Sequence, residues 1–124
     1  MPSQALYPVY LLVMGAAALC FVRAYRLRHD TPRHVRAALT GLLLDLSGTL
    51  VVLVVHRGLG WSMHVEHAGV VLWHRRFAYL STGLLLLVAA LGWRRHRVHP
   101  VLAVPFLPIY LATLGLAIVG YWPY

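Results

Sequence analysis

Four apolar runs, at about residues 5–25, 34–56, 70–93 and 100–121, constrain this chain more than anything else in it. A helix of about 20 residues is about 30 Å long, which matches the hydrocarbon core of a bilayer. In lipid the backbone has no water to bond, so a spanning segment must satisfy its own N–H and C=O groups, as a helix does. The expected fold is therefore all-α, an integral membrane four-helix bundle. The runs use up most of the 124 residues, so residues 1–124 read as one domain. Composition agrees: 60% of the residues are hydrophobic and the acids are only Asp30, Asp45 and Glu66. A water-soluble domain of this size needs far more charge on its surface.

The net charge of +8 comes from eleven arginines and no lysine. They cluster where the runs end, as expected of side chains that snorkel to lipid headgroups. No polar domain is left to bind nucleic acid, so that partner is excluded. Arg23, Arg26, Arg28, Arg33 and Arg36 flank the first loop, and Arg94, Arg95 and Arg97 lie in the third. The second loop and its flanks hold only Arg57, Arg75 and Arg76. This asymmetry puts the first and third loops in the cytoplasm and both termini outside. Cys20 is the only cysteine, which excludes a disulfide framework and a CxxC site. The start of the chain lacks a basic residue and bulky Leu19 precedes Cys20, so residues 1–24 are expected to remain as a helix.

Local signals mark the boundaries. Asp30-Thr31-Pro32 combines a cap with an early proline and starts the second run. Gly58 and Gly60 end it. Residues 61–69 are short and polar, and one interfacial turn anchored by Trp61 is expected there. Pro100 opens the fourth run, and Trp93, Tyr121, Trp122 and Tyr124 suit an aromatic belt.

Histidines mark both faces. On the outer face, His56 closes the second run and His74 lies early in the third, with Met63, His64, Glu66 and His67 between them. Imidazole and carboxylate suit zinc, copper or iron, and a thioether adds softness for Cu(I). The alternative is a wet interfacial loop. On the inner face, His34, His96 and His99 lie among arginines that repel a cation and favour an anionic partner, a phospholipid or a haem propionate. His34 and His56 are about 33 Å apart along a helix, too far out for the paired haems of membrane b-type cytochromes. A single haem at either surface remains open.

Asp45 falls midway between His34 and His56. A carboxyl group at that depth costs about 2.5–3.5 kcal/mol on insertion scales, so it should face protein. Gly41 and Gly48 share its helix face, where a neighbour can approach. Ser81, Thr82, Tyr110 and Thr113 fall at a similar depth and complete an expected intramembrane polar layer. The expected role of Asp45 is packing through hydrogen bonds; the alternative is a relay for protons or metal.

Together these positions resemble the CtaM-like (YozB-like) four-helix membrane proteins of bacterial cytochrome oxidase biogenesis. One helix is bracketed by histidines, as by His34 and His56, with glycine four residues on at Gly60. Another carries His74 with Ala78 four residues later, and the last runs His99, Ala103, Pro108, Tyr110, Tyr121. The resemblance spans residues 34–121. It departs at the segment between the second and third helices, short here and carrying His64, Glu66 and His67, and at Asp45, where a small or hydroxyl residue is expected. It implies an accessory protein of the bacterial inner membrane that helps to mature a haem–copper oxidase, handling copper or haem and meeting oxidase subunits in the bilayer. The sequence has no nucleophile with a base, no paired catalytic carboxylates and no phosphate loop, so a non-enzyme is expected. Two alternatives stand beside it: a small structural subunit of a respiratory or other membrane complex, and a small b-type haem electron-transfer protein.

Overall fold

The structure, a computed structural model, describes residues 2–60 and 67–121, with side chains from Leu6 onward. Among them are four α-helices and no strand: α1 (Pro2–Arg26), α2 (Thr31–Gly58), α3 (Ala68–Trp93) and α4 (His99–Tyr121). All four are long and apolar enough to cross a membrane. All four start earlier than the apolar pattern indicates, by one to three residues, because polar residues can form a helix's first turn. At α2, the Asp30 carboxylate accepts the Arg33 backbone N–H at 3.3 Å and pairs with its Nε at 3.4 Å. Pro32 follows, where a missing N–H costs nothing. At the far end, Gly60 takes a φ of 65° just beyond α2, which glycine adopts without a Cβ clash. The interfacial turn expected at Trp61 lies in residues 61–66, outside the described residues; Ala68 and Gly69 already belong to α3.

The chain divides into two compact units, residues 1–65 and 66–124. In the first, α1 and α2 form an antiparallel hairpin. Tyr7, Met14, Ala17, Ala18, Phe21 and Ala24 of α1 are buried, with Gly41, Asp45 and Gly48 of α2. Steps of three and four along each helix make the narrow seam of a left-handed coiled coil. The other faces turn Leu12, Leu19, Leu43 and Leu50 away from the seam. Lipid is as apolar as leucine, so the hairpin closes by tight packing rather than by hiding oil from water. Small residues permit that. A Cβ on Gly41 would lie 2.7 Å from the Phe21 ring, and one on Gly48 3.1 Å from Val13.

In the second unit α3 and α4 pair the same way. The seam takes Val71, His74, Ser81, Leu85 and Val88 from α3, and Phe106, Tyr110, Thr113, Ala117 and Gly120 from α4. Gly120 lets Val71 approach, and Gly92 lies beneath the His99 ring, where a Cβ would come within 2.8 Å. The connecting turn is tight. The His96 N–H reaches the Leu91 carbonyl at 2.8 Å and the Arg95 N–H reaches that of Gly92 at 3.0 Å. This is the Schellman closure, whose left-handed position usually holds glycine. Here Arg95 holds it, at a φ of 51°, and an L-residue in that conformation costs about 1–2 kcal/mol.

Candidate histidine sites

Three histidines point Nδ1 at a backbone carbonyl of the neighbouring helix. His34 reaches Ala24 at 2.8 Å, His99 reaches Val88 at 2.8 Å and His74 reaches Thr113 at 3.0 Å. A carbonyl only accepts, so in each contact Nδ1 carries the proton and donates. In the neutral ring the lone pair is then on Nε2. Metal-bound histidines are commonly held in this way, the far nitrogen donating to a carbonyl and the near one ligating.

The three serve different places. His34 and His99 each open the second helix of a hairpin and reach back to the first. Ala24 lies in the last turn of α1, where carbonyls run out of helical partners. The Arg28 N–H, its helical partner by spacing, turns to Tyr25 at 3.3 Å instead. The His99 ring is fixed from two sides, by the Val88 carbonyl and by contact with Gly92. His74 lies deeper in its seam, 7% exposed, and the Tyr121 ring stands perpendicular to it at 5.8 Å. Held by Thr113 and walled by Tyr121, this imidazole has a defined direction.

The remaining candidates lie elsewhere in the chain. His56 is exposed in the last turn of α2 and belongs to the first hairpin, whereas His67 and His74 belong to the second. His67 is exposed just before α3; its side chain makes no capping bond, and its backbone N–H meets the Gly120 carbonyl at 3.4 Å. Met63, His64 and Glu66 lie outside the described residues. His96 and His99 are three apart, but their Nδ1 atoms are engaged separately: His96 lies in the turn and accepts the Val98 N–H at 3.2 Å, while His99 turns to α3. Among the described residues no three His, Cys, Asp or Glu side chains are grouped as a metal would require.

Asp45 is 3% exposed on the α2 face that meets α1, between the close approaches at Gly41 and Gly48. The carboxyl therefore faces protein, and α1 is the neighbour. Ser81, Tyr110 and Thr113 are buried in the second hairpin's own seam, with Thr82 half-buried beside them. The Thr113 hydroxyl bonds the Ile109 carbonyl one turn back at 2.8 Å. A shallow apolar notch of about 130 Å³ opens in the first hairpin between Tyr10, Val13, Gly48 and Val52, with no histidine in its lining.

The staples at His34 and His99, the Gly92 contact and the Tyr121 wall escape a reading by composition. The four helices make this chain a multi-pass α-helical membrane protein. No family model, curated protein or solved structure matches it.

Proposed function

We propose that this chain is an accessory protein for maturation of a haem–copper respiratory oxidase in the bacterial inner membrane, where it offers histidine to copper or haem without catalysing a reaction. The observation that supports this reading is the anchoring of His74. A buried imidazole whose Nδ1–H is committed to the Thr113 carbonyl presents Nε2 with its lone pair, and that is the atom a metal or haem iron takes. His56, His64, His67 and Met63 are the further donors the outer face supplies. Bound there, copper or haem would be cargo on its way to oxidase subunits in the same bilayer. The arginine asymmetry orients the chain with both termini outside. A reporter fused after Tyr124 then reads outside, and one placed at Arg95 reads the cytoplasm.

The test is metal and haem analysis of detergent-purified protein beside its His74→Ala and His34→Ala variants. Copper or haem in the parent, lost in His74→Ala and kept in His34→Ala, supports the proposal. A parent that takes up neither when each is supplied overturns it. A second reading, a structural subunit without a cofactor, is favoured by one observation: His34 and His99 both act as hairpin staples. Stable co-purification with a large complex, with no metal or haem bound to this chain, selects that reading. A reversible haem redox spectrum of the isolated chain instead selects an electron carrier.

A further inference from the structure

We propose that the turn between α3 and α4 is a binding surface for the headgroups of anionic phospholipids. Arg94, Arg95, His96 and Arg97 are all exposed in it. Residues 67–121 contain no Asp or Glu, and none of these guanidinium groups is ion-paired among the described residues. The turn of the first hairpin differs. There Arg33 pairs with Asp30, and Arg28 lies 4.7 Å over the Tyr25 ring and bonds its carbonyl at 3.2 Å. The end of the first hairpin holds an acid that pairs with one of its five arginines; the end of the second holds none, so its charge is offset by no acid.

Two further observations point the same way. Trp93, 84% exposed at the end of α3, suits the headgroup level where indole rings collect. Arg95 occupies the left-handed position of the Schellman closure, which glycine fills without strain. A cation stands where the backbone alone favours glycine, and strain at a surface turn motivates a binding role. Phosphodiester headgroups supply the complementary charge at that depth. Guanidinium binds phosphate oxygens with paired donors, so arginine fits them well.

The full chain is purified in mild detergent and given equal phosphatidylglycerol and phosphatidylcholine, and retained lipid is counted by native mass spectrometry. The parent retains phosphatidylglycerol preferentially, and the preference falls with added salt. Each arginine removed from this turn lowers it about fivefold. Arg95→Gly separates charge from folding: it relieves the backbone, so the melting temperature in phosphatidylcholine rises while the preference drops. Arg33→Gln, at the self-paired turn, changes the preference little. Equal retention of the two lipids by the parent overturns the proposal. So does an Arg95→Gly protein that gains stability with its preference intact, or an Arg33→Gln loss as large as that of the α3–α4 turn variants.

Discussion

The two hairpins share one plan and fill it with different chemistry. Each is an antiparallel pair with a heptad seam, and in each a histidine at the start of the second helix donates Nδ1–H to a carbonyl of the first at 2.8 Å. The first seam is closed by glycine and alanine and buries one acid, Asp45. The second is lined with Ser81, His74, Tyr110 and Thr113. Backbone approach and a staple are thus enough to set a hairpin in lipid, and the polar content of the seam is free to vary. That freedom is where a buried imidazole such as His74 can be accommodated.

The largest effect is expected at Gly92. A methyl group there lies 2.8 Å from the His99 ring, so Gly92→Ala must move the ring off the Val88 carbonyl. Overpacking and the lost hydrogen bond together cost about 2–4 kcal/mol, read as unfolding in detergent. At Gly41 the ring displaced belongs to Phe21, which carries no hydrogen bond to the neighbouring helix through its side chain. Gly41→Ala therefore costs about 1–3 kcal/mol, overpacking alone. Equal losses at the two sites would break the distinction between a stapled and an unstapled contact.

Asp45 comes next. Asp45→Leu is expected to lose about 1–2 kcal/mol, the scale of a polar contact between membrane helices, and Asp45→Asn to fold normally. Normal expression of Asp45→Asn with complete loss of the proposed role in oxidase maturation would move Asp45 from packing to proton or metal transfer. The smallest effect belongs to Thr113. Its hydroxyl bonds its own helix at Ile109, while its backbone carbonyl holds His74. Thr113→Val keeps that carbonyl and is expected to change stability by less than about 1 kcal/mol, with the proposed copper or haem binding unchanged. A larger loss would place the hydroxyl in the contact between α3 and α4.

By itself the sequence determined the quantities that run along one dimension. Spans follow from the length of apolar runs, and the start of α2 from Asp30 and Pro32, because these depend on neighbours in the chain. The burial of Asp45 was legible too, since a lone acid at mid-bilayer depth has to face protein. Pairing was decided only by the tertiary structure. A heptad marks which stripe of a helix is buried, but not which carbonyl an imidazole on that stripe will meet. That depends on the axial offset of two helices, which the close approaches at Gly41, Gly48, Gly92 and Gly120 constrain. The same offset separates His96 from His99, three apart in the chain, by giving one to the turn and the other to the α3 backbone. It also assigns Asp45 to α1, whereas depth alone groups it with Ser81, Tyr110 and Thr113. Depth is additive along a helix, and contact is a property of two.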